Sequence, residues 1–157
     1  MHNMKKIISL AIMVLVLAAC SGTNKESGCW RGGEFKLYGV IPSQYFLNIN
    51  GDSVTQSVYI EDPNDAGNHM FTLWEGEIKE RTESERGLEI LVKYNKVEHY
   101  RKDTVIEVKN LADEDKEALY RIANDTLSSL RMAVKFTRCS KSDIPTVNDY
   151  KAGKFNK

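Results

Sequence analysis

The chain has 157 residues, 41% of them hydrophobic, with 22 basic and 22 acidic side chains. That length suits one domain with a real core. The charge balance gives no reason to expect nucleic acid or an anionic membrane surface as a partner.

The first twenty residues carry an address. Lys5 and Lys6 precede an apolar run from Ile7 to Leu17, then Ala18, Ala19 and Cys20. A charged start followed by a short apolar stretch is the pattern of a secretory signal peptide. The 13 residues from Ile7 to Ala19 fall short of the roughly 20 that span a bilayer. Leu17-Ala18-Ala19-Cys20 resembles the lipobox of bacterial lipoproteins. The resemblance implies cleavage of residues 1–19 and lipid on the sulfur and new amino group of Cys20. Translation from Met4 leaves this unchanged. Each buried methylene contributes about 0.8 kcal/mol, and more than one acyl chain makes a stable anchor. Ser21, rather than aspartate, follows the cysteine. By resemblance to enteric lipoproteins, this implies the outer membrane, at its periplasmic face or surface.

With Cys20 assigned to lipid, Cys29 and Cys139 remain as an even pair in an exported, oxidising setting. A Cys29–Cys139 disulfide is expected, with two free buried thiols as the alternative. The bridge would close a loop of about 110 residues and stabilise by roughly 4–5 kcal/mol on the chain-entropy model. A metal is not expected there, because neither cysteine has ligands at useful spacing.

Residues 20–28 are small and polar and read as the lipidated cysteine with a flexible tether. From 29 to 139 the chain reads as a single β-rich domain. Phe35 and Leu37, then Tyr45, Leu47 and Ile49, alternate with a period of two. Asn50-Gly51 signals a hairpin, and Val54, Val58 and Ile60 share a face beyond it. Turn formers fill 61–68. From Met70 to Lys79, Phe71 and Leu73 point one way, and Met70, Trp74 and Ile78 the other. Arg81–Gly87 reads as a charged turn. Leu88, Ile90, Val92 and Tyr94 mark the next strand, and Val97–Lys109 holds one or two more. Leu119, Ile122, Ala123, Thr126, Leu127 and Leu130 then sit at helical spacing. With Asp113 as N-cap, they predict one helix near 113–130. Met132, Val134 and Phe136 face inward on a last strand ending at Cys139. The polar segment 140–157 is expected to be a loose, disordered tail.

Seven or eight antiparallel strands with a single helix before the last predict a mainly β fold, a small barrel or curved sheet. Gly28-Cys29-Trp30 resembles the Gly-x-Trp that opens lipocalin-type barrels. Small periplasmic lysozyme inhibitors are also lipid-anchored barrels, but their inhibitory loop motif is not evident here.

No catalytic set emerges. Asp62-Pro63-Asn64-Asp65-Ala66-Gly67 resembles the start of a calcium loop but puts Ala66 at a ligand position and Leu73 at position twelve. His69 and His99 stand 30 residues apart without nearby ligands. There is no Gly-x-Ser-x-Gly elbow. Glu75, Glu77, Glu89 and Glu107 read as solvated strand faces. Asn124-Asp125-Thr126 matches a glycosylation sequon, but it falls inside the expected helix of a chain whose lipobox resemblance implies a bacterial source, and it is discounted. Tyr38, Tyr45, Phe46, Tyr59, Phe71, Trp74, Tyr94 and Tyr100 offer the one hint of binding, as core or as cavity lining. The expectation is a non-catalytic binding module without a cofactor, held on a membrane by its lipid and recognising a protein or a small apolar ligand. The alternatives are an inhibitor or immunity-type lipoprotein, with 61–68 and 80–87 as candidate loops, and a structural envelope component.

Overall fold

Alternating apolar and polar residues dominate the chain after Gly28, and the backbone follows them. The computed structural model describes residues 24–33, 35–37, 41–61, 69–101, 104–111 and 116–152. The expected signal segment 1–19, Cys20, the calcium-like stretch 62–68, the helix start at Asp113 and residues 153–157 lie outside the described residues.

The strands are β1 (Gly28–Gly32), β2 (Phe35–Leu37), β3 (Ile41–Asn50), β4 (Ser53–Glu61), β5 (His69–Ser84), β6 (Gly87–Arg101), β7 (Thr104–Asn110), β8 (Glu117–Ala123), β9 (Thr126–Ser129) and β10 (Lys135–Cys139). A short helix, α1 (Val147–Lys151), follows. All the strands belong to one sheet. β1 pairs antiparallel with both β10 and β3, so the sheet closes on itself. The ring runs β1-β3-β4-β5-β6-β8-β9-β10, an eight-stranded antiparallel barrel. Closure pairs the edges that would otherwise template aggregation. β6 changes neighbour along its length: Leu88–Lys93 pair with β8, and Lys96–Arg101 with β7.

Period two sets the core. Tyr45, Leu47 and Ile49, then Val54 and Val58, then Leu88, Ile90, Val92 and Tyr94 all point inward and join one buried cluster with Trp30, Tyr120 and Phe136. Each such side chain contributes about 1.5–3 kcal/mol through burial.

The two barrel ends differ. At the base lie the β3–β4, β5–β6 and β8–β9 turns. Residues 24–27 fold under Trp30 there. The indole Nε1 donates to the Glu26 carbonyl at 2.9 Å, and the Glu26 carboxylate, 2% exposed, takes the Arg81 Nε at 2.6 Å. This overturns part of the flexible-tether expectation: 24–27 are fixed by an ion pair on the buried Glu26 carboxylate that small polar composition did not announce. The opposite end is the mouth.

The helix expected near 113–130 is not formed among the described residues. Its C-terminal part is the β8–β9 hairpin, with Tyr120, Ile122, Leu127 and Ser129 buried at period two. Asn124 and Asp125 take φ of 48° and 57°, the left-handed geometry of a two-residue type I′ turn. Helical spacing was coincidental, and barrel closure needs two strands between β6 and β10. The expected Arg81–Gly87 turn also tightens: β5 and β6 stay paired to Ser84 and Gly87. A Cβ at Gly87 would lie 2.3 Å from the Ile122 carbonyl, so only glycine fits this approach.

The expected disulfide is absent. Cys29 and Cys139 are free thiols, although β1 and β10 place them in direct register. The Cys29 thiol donates instead to Asn48 Oδ1 at 3.5 Å on β3. The strands that the expected bridge would join are paired, but the sulfurs are not.

The expected loose tail is ordered as far as Ala152. Thr146 caps α1, its hydroxyl accepting from the Asp149 N–H at 3.1 Å. Tyr150 stacks on Phe71 with centroids 5.5 Å apart, within an outer cluster that holds Tyr59 and Tyr100. One aromatic at the right place outweighed a polar composition.

Candidate functional site: an aromatic pocket at the barrel mouth

Three polar side chains meet inside an otherwise apolar wall. Gln56 faces inward because its period-two neighbours Val54 and Val58 do. Tyr94 on β6 and Tyr120 on β8 approach it from across the barrel. The Tyr94 hydroxyl lies 2.6 Å from Gln56 Oε1, the Tyr120 hydroxyl 2.9 Å from the same oxygen, and the two hydroxyls 3.0 Å from each other. Two phenolic protons serve three contacts, so one contact is always without a bridging proton. The phenol oxygens therefore keep acceptor capacity.

Burial removes water from both phenols and disfavours phenolate. Burial, with the Tyr120 neighbour, raises Tyr94 well above its ordinary value. Burial pushes Tyr120 up to about 12, with the Tyr94 hydrogen bond acting the other way. Both rings are neutral at any physiological pH. The trio presents dipoles rather than charge.

A pocket of about 360 Å³ opens beside this trio. Trp74, Ala118 and Met132 form its apolar wall, and Lys116, Glu117 and Arg131 its rim. The volume sits near the low end of the roughly 300–1,000 Å³ of small-molecule sites. Trp74 meets Tyr94 edge-on at 5.7 Å and His99 edge-on at 6.5 Å. His99 Nδ1 in turn lies 3.0 Å from the Thr72 hydroxyl. Arg131 Nη1 donates to the Glu117 carbonyl at 2.8 Å, fixing part of the rim. A larger recess of about 880 Å³ lies outside the base, among Lys25, Glu85, Arg86, Asp125 and Arg138. It lacks the aromatic wall of the smaller mouth pocket, which is therefore the better candidate.

The aromatics expected to bind divide sharply. Trp74 and Tyr94 line the pocket, and Tyr45 is core. Tyr59, Phe71 and Tyr100 lie on the outer face under α1. Phe46 lies beneath the Arg31 guanidinium. Tyr38 is outside the described residues. His69 opens β5 opposite Glu61, while His99 belongs to the mouth. No metal-binding group of His, Cys, Asp or Glu occurs among the described residues. Glu75, Glu77 and Glu89 pair with Lys96, Lys79 and Arg121, as solvated strand faces do. Glu107 is exposed on β7.

Sequence reasoning missed Gln56 and Tyr120. Tyr120 was hidden inside the expected helix. Gln56 carried a legible signal: a polar residue at an inward position between two valines. Compared with known proteins, the chain matches no family model, no curated protein and no solved structure.

Proposed function

We propose that this protein is a lipid-anchored, non-catalytic binding protein of the bacterial cell envelope, whose barrel mouth takes a small amphiphilic ligand. The observation that carries this reading is the Gln56–Tyr94–Tyr120 trio. It is a polar cluster inside an apolar barrel, beside a pocket walled by Trp74 and Met132. An apolar body fits against Trp74, Ala118 and Met132. A hydroxyl or N–H on the ligand is accepted by a phenol oxygen. The lipobox-like Leu17-Ala18-Ala19-Cys20 supports anchoring in the envelope. The lipocalin-like Gly28-Cys29-Trp30 opening supports a ligand barrel.

Trp74 makes this testable. The chain has two tryptophans, and Trp30 is fully buried at the base. Emission from Trp74 is therefore the signal that a ligand in the pocket changes. Titration with a panel of phenols, medium-chain fatty acids and fatty alcohols should give a saturable change with at least one class. Trp74→Phe should abolish the signal. Tyr120→Phe should weaken binding by about tenfold, the worth of one hydrogen bond. No saturation with any class, together with one stoichiometric protein captured by crosslinking in intact cells, would overturn the reading in favour of an inhibitor or immunity-type lipoprotein.

A further inference from the structure

The base of the barrel is tied to the segment that leads to Cys20. The Ser27 N–H closes a turn on the Asn24 carbonyl at 2.9 Å. The Trp30 indole holds the Glu26 carbonyl. Arg81 holds the Glu26 carboxylate and reaches Asp52 at 2.8 Å. Arg138 donates to the carbonyls of Lys25 and Ser27. Lys25 pairs with Glu83 at 3.3 Å. Asn24 is thus a fixed point on the base.

Only residues 21–23 separate that point from Cys20. Four Cα–Cα steps of 3.8 Å reach at most about 15 Å, whatever their conformation. β5 alone, with 16 residues, runs about 50 Å along its own path from mouth to base. A lipid on Cys20 would hold the base near the headgroups and leave the mouth far from them.

The surface chemistry of the base agrees. Around the recess there, Lys25, Arg86 and Arg138 mix with Glu85 and Asp125. Mixed charge neither drives anionic headgroups away nor binds them strongly. The exposed large apolar residues among the described ones are Met70, Val105, Val108 and Leu130. None of them belongs to the base turns. The base suits contact with headgroups, not insertion, and the acyl chains would supply the anchoring energy.

We propose that the closed base of the barrel is a membrane-facing surface that rests on phospholipid headgroups, with the Trp74 pocket opening away from the bilayer. This rests on the reading of Cys20 as lipidated.

The test uses the full lipidated chain in vesicles of phosphatidylethanolamine and phosphatidylglycerol, some carrying a nitroxide on the headgroup. A fluorophore is placed at Glu85→Cys in the β5–β6 turn, or at Ala133→Cys near the mouth, both in a Cys139→Ser background. The nitroxide lipid should quench the label at position 85 several-fold more than the label at 133. Equal or reversed quenching in protein that carries acyl mass on Cys20 overturns the orientation and leaves the anchor reading standing. Protein recovered without acyl mass on Cys20 overturns both. Tryptophan emission of each labelled variant, matching the parent, shows that the barrel has folded.

Discussion

The Arg138 guanidinium lies over the Trp30 ring, 3.7 Å from its centroid. The contact joins the last strand of the barrel to the first. It forms because Trp30 and Arg138 are register partners across β1 and β10. The guanidinium sits over the indole and spends its N–H groups on the carbonyls of Lys25 and Ser27. One side chain thus fastens residues 24–27, the strap across the base, to the barrel.

Arg138→Ala should therefore destabilise the protein more than an exposed strand substitution does. A cation–π contact contributes about 1–2 kcal/mol and each charged-donor hydrogen bond a little more, reduced here by solvent exposure. The expected loss is about 2–3 kcal/mol, read as a lower urea midpoint with an unchanged slope. Arg138→Lys should recover less than half of it, because an ammonium cannot stack flat and fork between two carbonyls. A midpoint unmoved by Arg138→Ala would show that the strap holds by other contacts.

The two cysteines face each other in register yet remain thiols, with Cys29 turned to Asn48. The melting temperature should accordingly be the same with and without reductant. Cys139→Ser should cost no more than about 1 kcal/mol, far less than the 2–5 kcal/mol that accompanies loss of a native disulfide in a small domain. Alkylation should reach Cys139 before the buried Cys29. It should still be slow, because partial burial raises the Cys139 thiol above its usual range. A fall in melting temperature on adding reductant would restore the bridge.

The barrel was legible where one face of a strand is apolar and the other is not. Tyr45, Leu47 and Ile49 or Leu88, Ile90 and Val92 read as inward residues because alternation is a local property. The hairpin at Asn50-Gly51 was legible too, although the turn falls one residue later, at Gly51-Asp52 between the paired Asn50 and Ser53. The β8–β9 hairpin was not. Leu119, Ile122, Ala123 and Leu127 satisfy a helical stripe, Tyr120, Ile122, Leu127 and Ser129 a strand face, and only closure of the ring decides between them. The Asn124-Asp125 turn was the local clue, and the helix expected across it hid it. The site was half legible. Trp74 and Tyr94 stood out as aromatics, but the convergence of Gln56 with Tyr120 spans 64 residues of chain. Only the barrel brings them together. The strap was invisible for the same reason: Glu26 and Arg81 meet 55 residues apart.

The buried phenols set the response to alkali. Unfolded tyrosine ionises near pH 10. In the folded protein burial raises Tyr94 well above that value, and raises Tyr120 to about 12. Burial, assisted by the Glu98 carboxylate 2.5 Å away, does the same to Tyr100. Burial also raises Tyr45. A folded value above the unfolded one favours the neutral phenol, so its contribution is complete below about pH 10 and is lost as the pH rises through the folded value. Stability should hold to about pH 10 and then fall steeply towards about pH 12. Tyrosinate absorbance should show this directly. The native protein should lag the urea-unfolded chain between those values, and the missing tyrosines should then appear together as the barrel opens. Tyr120→Phe should remove one of the late-ionising rings and leave the early phase unchanged. If every tyrosine titrated near pH 10 while the barrel stayed folded, the phenols beside Gln56 would be in contact with water. The mouth pocket would then be wider and wetter than the Gln56–Tyr94–Tyr120 geometry requires.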